Sequence, residues 1–261
     1  GPVLDLSRDP RWSRVEESFG EDPVLSARIG AAIVKGTGSG KLGNPFATIA
    51  TLKHFVAYGI PEGGHNGNTA FMGLRELHEN FLPPFREAIN AGALSVMTAY
   101  NSIDGIPCTS NKYLLTDILR NAWQFRGFSV SDLGSIEGIH ENHAVAPSIA
   151  QSAVLAACAG LDADLGGKAY PNLIDAVNTG QIQQSVIDTA VSRILRLKFE
   201  MGLFDNPYVD IDKAKSEVRN AANIRLSAQI ARESIVLLKN ENNTLPLSKD
   251  KKIALIGPNA D

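Results

Sequence analysis

FSVSDLGSI, residues 128–136, runs as strand-type residues to Val130, breaks on Ser131-Asp132, passes Gly134 and turns apolar again at Ile136. A carboxylate at the end of an apolar run is costly to bury unless it is paired, so its place asks for a reason. Working outward, comparable short apolar runs recur at VLDL (3–6), TLKHF (51–55), LSVMTAY (94–100) and LDADL (161–165). The stretches between them carry helical periodicity: Leu25, Ile29 and Ile33; residues 74–91, interrupted by Pro83-Pro84; Leu114, Leu115, Ile118 and Leu119; and residues 149–159. Strand alternating with helix predicts a parallel sheet covered by helices. Runs that are apolar throughout predict burial on both faces of that sheet.

Beyond the last run, residues 186–204 form a long helical pattern with Val186, Ile187, Ala190, Val191, Ile194 and Leu197 on one stripe. NPYVDID reads as a loop and residues 214–240 as helical, followed by the polar ENNTLPLSKDKK and a fresh strand candidate at Ile253, Ala254, Leu255 and Ile256. The opening GPVLDL reads as a strand in progress without initiator Met or signal peptide, so a segment of a longer protein is expected. The expected partition is 1–205 as one α/β domain, 206–250 as a linker with a helical segment, and 251–261 as the first strand of a second, truncated α/β domain.

The chain has 261 residues, 44% hydrophobic and 20% charged, with net charge -3. That is the composition of a soluble globular protein. It offers no basic face for nucleic acid and no apolar stretch near the roughly 20 residues of a membrane span, and it leaves self-association into a homo-oligomer open. Cys108 and Cys158 sit among apolar or small residues, which favours buried free thiols over a disulfide. GTGSGKLG (36–43) suggests a phosphate loop, but three residues rather than four precede Gly-Lys, Leu42 follows the lysine, and a helix precedes the stretch; a flexible connection is the better reading. The five histidines include no HExxH, and His140 and His143 fall in a polar stretch read as a solvated loop or the rim of a binding site.

Polar residues gather at the C-terminal ends of the strand candidates: Arg14 in RDPRWSRVEESFGEDP, Lys53-His54, Tyr100-Asn101 and Ser131-Asp132. In a βα barrel these ends share one mouth, where such enzymes hold their sites. Each also has a plainer reading. Asp132 suits the N-cap of a helix beginning near Gly134, Tyr100 suits a core position with its hydroxyl on the backbone, and Arg14 suits an ion pair with Glu16, Glu17 or Glu21.

RDPRWSRVEESFGEDP, KHFVAYG, SVMTAYNSIDGIP and GFSVSDLGSI, in that order, resemble the motifs of glycoside hydrolase family 3, which holds retaining β-glucosidases and β-xylosidases. The resemblance continues through RILRLKFEMGLFDNP, RESIVLLKNENNTLPL and KKIALIGPNAD. It implies a (β/α)8 TIM-barrel-like domain lacking its N-terminal part, followed by the start of an α/β sandwich domain. It implies Asp132 as nucleophile, Lys53 and His54 as ligands of sugar hydroxyls, Arg14 on the same sugar, and Tyr100 and Met97 lining the pocket. The general acid/base is implied to lie outside this chain, so the 261 residues alone are expected to be catalytically poor.

Retaining hydrolysis uses one ionised carboxylate to attack the anomeric carbon and one protonated carboxyl about 5–5.5 Å away. Cations such as Arg14 and Lys53 favour the ionised form and make strong hydrogen bonds to a hydroxyl-rich ligand. The expected partner is an oligosaccharide or an aryl or alkyl glycoside; no metal or organic cofactor is required. Where many members carry Trp after the nucleophile this sequence has Leu133, which leaves glucose against xylose open. The IPEGGHNG loop (60–67) offers Glu62, His65 and Asn66 as further contacts, His65 being equally a substrate contact or a loop residue. The same loop lacks the Asp-Ser-His element of the β-N-acetylhexosaminidase branch. A non-catalytic sugar-binding module would lack the nucleophile. The resemblance further implies a periplasmic or secreted protein.

Overall fold

The computed structural model describes residues 1–38, 41–44, 46–258 and 260, so Ser39 and Gly40 of the GTGSGKLG stretch lie outside the described residues. The chain divides into two compact units, Gly1–Pro207 and Tyr208–Asp261. In the first, the strands are β1 (Thr51–Phe55), β2 (Ser95–Thr98), the hairpin pair β3 (Ser102–Ile103) and β4 (Ile106–Pro107), and β5 (Phe128–Val130). The helices are α1 (Pro23–Thr37), α2 (Leu74–Glu76), α3 (Pro83–Asn90), α4 (Glu137–Glu141), α5 (Ile149–Ala159), α6 (Leu173–Asn178) and α7 (Gln184–Glu200). α2 runs into α3 through the π-helical turn Leu77–Phe81, and a second π-helical segment covers Tyr113–Ala122.

β1, β2 and β5 are parallel neighbours in that order, with Leu52 opposite Val96 and Val96 opposite Ser129. A parallel bridge from Val3 to Lys53 extends the sheet on one side, and one from Val130 to Ala163 on the other. Each neighbour in the sheet is therefore the next strand-type run in sequence, with helices between, as expected of successive βα units. The first unit is α/β.

Two expected strands are reduced to these single bridges. In the 161–165 run the Asp162 carboxylate, not a backbone carbonyl, accepts the Ser129 N–H at 2.7 Å, so the ladder stops after one bridge. At the 3–6 run, the backbone–backbone bonds to β1 among the described residues are Leu4 N–H to Lys53 O and Lys53 N–H to Pro2 O.

Local chemistry sets the helix ends. The Asp22 carboxylate accepts from Val24 and Leu25 N–H, with Pro23 in the first turn, and Gly38 closes α1 at φ 71°. Ser148 caps α5 by accepting from Gln151 N–H, and Gly160 ends it at φ 106°. α1 turns its small side inward: Ser26, Ala27, Gly30 and Val34 are buried, whereas Leu25 and Ile33 stay exposed. Gly30 allows the close approach, because a Cβ there would lie 2.5 Å from Leu4 Cδ2. Leu4, Leu6, Trp12, Leu52, Phe55, Tyr58, Phe85, Leu114 and Leu115 fill the core, each large side chain contributing about 1.5–3 kcal/mol of burial.

Four further expectations need correction. Cys108 and Cys158 are free thiols, but only Cys108 is buried and Cys158 is exposed; burial pushes the Cys108 thiol up to about 12. His140 lies in α4 rather than in a solvated loop, and its Nδ1 meets Ala146 O at 2.8 Å. In the second unit, α8 (Ile211–Glu217) and α9 (Ala221–Glu233) replace one long helix, since Val218 turns extended and Asn220 caps α9 through Asn223 N–H. Residues 253–256 form no strand: with no partner ladder, Ile253, Leu255 and Ile256 stay exposed.

Candidate active site

The site forms where the 3–6 run lies beside β1. Gly59 makes the crossing possible, because a Cβ there would fall 2.3 Å from Leu6 O. In β1 His54 is buried and Lys53 half-buried, and both side chains reach the same cluster. His54 Nδ1 meets Asp5 Oδ2 at 2.7 Å, and its Nε2 lies 3.3 Å from Asp132 Oδ2 and 3.2 Å from Arg14 Nη2. Asp132, just beyond β5, also accepts the Leu133 N–H on Oδ1 at 2.7 Å.

Arg14 is held as a fork. Its Nε and Nη2 donate to the two carboxylate oxygens of Glu17 at 2.6 and 2.9 Å, and its Nη1 donates to Tyr58 Oη at 3.2 Å. Bidentate pairs of this kind fix orientation as well as charge. The hydrogen bonds that Arg14 donates to Glu17 raise the guanidinium further above its ordinary value and lower the Glu17 carboxyl below its ordinary 4.5. Lys53 Nζ stands 3.7 Å from Glu17 Oε2, so one carboxylate spans both cations.

Aromatic rings wall the group. Tyr58 stacks edgewise on Trp12 and on His54, each at 5.0 Å between ring centroids, and Tyr100 lies 5.9 Å from Tyr58. Tyr100 Oη donates to Leu133 O at 2.8 Å. Its phenol is raised by burial first and by the neighbouring Asp132 charge second, so it remains a donor at neutral pH. Trp12 Nε1 donates to Asn66 Oδ1 at 3.0 Å and ties the 60–67 loop to this wall. Beside Tyr100 opens a cavity of about 790 Å³ whose lining is polar: Glu62, Asn66, Asn68, Glu141 and His143.

The structure thus brings together Arg14, Lys53, His54, Tyr100 and Asp132. Met97 sits half-buried on the neighbouring β2, in register with Val130. His65 is exposed at the end of a short turn, and among the described residues no hydrogen bond joins its ring to the group; Asn66 is the loop residue that reaches it. Asp132 is no helix N-cap: Ser135 N–H donates to its carbonyl in a turn, and α4 starts only at Glu137. His143, read as solvated loop or rim, is half-buried and lines the cavity with Nε2 2.8 Å from Tyr100 O. Sequence reading missed Asp5 and Tyr58. Asp5 carried the same signal as Asp132, a carboxylate inside an apolar run, whereas a tyrosine in KHFVAYG carried none beyond the core.

The family model described as the glycosyl hydrolase family 3 N terminal domain matches residues 1–197, and the family 3 C-terminal domain model matches residues 235–261. The chain belongs to glycosyl hydrolase family 3. Family 3 relatives include a periplasmic beta-glucosidase of Salmonella typhimurium, 38% identical over 266 residues, which covers 100% of this chain and 35% of that protein. A beta-xylosidase of Formosa agariphila is 40% identical over 274 residues, covering 99% of this chain and 38% of that protein. Among solved structures, the beta-glucosidase from Listeria innocua in complex with glucose superposes with a TM-score of 0.89 at 40% identity, over 95% of this chain and 35% of that one. The chain therefore spans little more than a third of the length of these relatives.

Proposed function

We propose that this chain carries the nucleophile half of a retaining β-glycoside hydrolase, a β-glucosidase, with β-xylosidase as the alternative within the same family. The reading rests on one observation: a carboxylate at the end of a parallel strand, Asp132, faces an imidazole nitrogen that a fixed guanidinium also meets. The parallel order of strand-type runs agrees with a (β/α)8 barrel of which these residues form part, the site lying at the C-terminal strand ends. Asp132 Oδ attacks the anomeric carbon as the bond to the leaving oxygen breaks, giving a glycosyl ester and an alcohol; water then cleaves the ester. Arg14 and Lys53, aligned by Glu17, donate to sugar hydroxyls, and His54 and Tyr100 frame the nucleophile. No residue of this chain is assigned to the acid/base role, and the 261 residues alone are expected to turn over poorly.

The relatives' names support both sugars. Leu133, 63% exposed beside Asp132, stands where the aromatic platform of many family members is expected, so the platform gives no lead. The Salmonella typhimurium relative is described as periplasmic, which supports a periplasmic or secreted protein. The test is mass spectrometry with peptide mapping of the full-length protein after 2-deoxy-2-fluoro-glucosyl or 2-deoxy-2-fluoro-xylosyl fluoride. A label on Asp132 is expected, faster with the glucosyl reagent. A faster xylosyl reaction selects the alternative, and a label elsewhere sinks the assignment of Asp132.

Glu17→Gln is expected to lower kcat/KM by roughly 10–100-fold, the loss of one charge-assisted hydrogen bond of about 1.5–3 kcal/mol. Because the folded-state Glu17 carboxyl lies below its ordinary 4.5, its bond to Arg14 stabilises the fold fully above that value. The contribution is lost as pH falls through the lowered pKa. A pH titration of stability in wild type and Glu17→Gln checks the sign: the two curves converge at low pH.

A further inference from the structure

The mechanism above gives no task to Asp5, the most deeply buried carboxylate of the group, whose side chain is 0% exposed. Both of its oxygens face His54: Oδ2 meets Nδ1 at 2.7 Å, and Oδ1 accepts the backbone N–H at 3.3 Å. Among the described residues no lysine or arginine pairs with it. A buried carboxylate needs donors and, when ionised, only accepts. His54 therefore carries a proton on Nδ1. The neutral form with bare Nδ1 would set two lone pairs against each other across that contact.

With Nδ1–H fixed, only Nε2 can change, and its two neighbours make opposite demands. Arg14 only donates, so that contact requires a bare Nε2; the Asp132 carboxylate only accepts, so that contact requires Nε2–H. The charged groups around the ring are Asp5, Arg14, Glu17, Lys53 and Asp132. We propose that Asp5 is a positioning residue: by holding Nδ1–H it turns the Nε2–H of a doubly protonated His54 onto Asp132 Oδ2, with the Arg14 contact as packing rather than a hydrogen bond, so that the nucleophile is pinned on one oxygen by Leu133 N–H and on the other by His54. The inference rests on Asp132 being the nucleophile. A carboxylate held on both oxygens keeps its attacking lone pair aimed, and a misplacement of about 1 Å lowers rates by about 10²-fold.

The test is the burst of dinitrophenolate from a 2,4-dinitrophenyl 2-deoxy-2-fluoro-glycoside on the full-length protein. Its amplitude counts folded sites, and its rate constant reports how well the nucleophile is aimed. The leaving group needs little protonation, so the acid/base residue does not enter. Asp5→Ala is expected to lower the rate constant about 10²-fold with one burst equivalent per folded molecule, and Asp5→Asn, whose amide oxygen still accepts from Nδ1–H, to fall between. A merely structural Asp5 would lower the amplitude or the melting temperature and leave the rate constant at the wild-type value, which overturns the proposal while Asp132 still labels. No burst from the wild type with either sugar sinks the nucleophile reading instead. Histidine ¹⁵N spectra of the wild type supply a measurement independent of variant folding: both ring nitrogens of His54 protonated are expected, and a ring bare at either Nδ1 or Nε2 overturns the proposal.

Discussion

Asp132→Asn in the full-length protein is expected to lower kcat on the order of 10⁴–10⁶-fold, the range seen when a member of a nucleophilic unit is removed. The substitution is nearly isosteric, and the amide oxygen still accepts the Leu133 N–H that the carboxylate takes at 2.7 Å. The fold and the binding of ground-state sugar should therefore change little. What disappears is the charge that attacks the anomeric carbon, so the loss falls on kcat rather than KM. The smaller Asp132→Ala leaves a space on the same face of the sugar, and azide entering it should restore part of the rate and yield the α-glycosyl azide. Asp132→Asn within about 10²-fold of wild type, free of deamidated protein, would remove Asp132 from the role.

Asp132 was legible because it broke an apolar run at a strand end, and the same break repeats at Lys53-His54 and Tyr100. β1, β2 and β5 were legible for the same reason: their apolar runs are long enough to be buried on both faces. The 161–165 run looked equally strand-like, yet a single side chain, Asp162, takes the Ser129 N–H that a second bridge would need. No periodicity carries that information, because it depends on which donor a carboxylate meets in space. The buried face of α1 was hidden too: Ala27 and Gly30 pack where the larger Leu25 and Ile33 seemed the natural choice, because Leu4 presses against the helix at Gly30. Asp5 shows the limit at the site. Its carboxylate was visible as an oddity in VLDL, but its partner lies 49 residues away on β1. Residues 253–256 mark the converse case, a strand pattern without a ladder to join.

The largest loss of stability is expected at Asp162→Ala, about 3–5 kcal/mol by urea unfolding, the range for breaking a buried ion pair by removing one partner. Asp162 is 1% exposed and meets Arg120 Nη2 and Arg193 Nη1 at 2.6 Å each. The oxygen facing Arg120 also accepts Ser129 N–H and Ser129 Oγ–H. Arg120 is deep enough that burial pushes it down to about 10 despite this partner, and its Nε already lacks an acceptor. Its Nη1 donates to Phe125 O and Gly127 O, just ahead of β5, so the guanidinium cannot swing to water without releasing the strand that carries Asp132. Arg193 is 24% exposed and retains solvent, so Arg193→Ala should cost no more than about 1 kcal/mol. If the cost of Asp162→Ala comes from the orphaned Arg120 charge, adding Arg120→Met should recover part of it, since replacing both members of a buried pair by apolar groups is often neutral. Strictly additive losses in that double variant would mean that the Ser129 hydrogen bonds, not the ion pair, fix the end of the sheet.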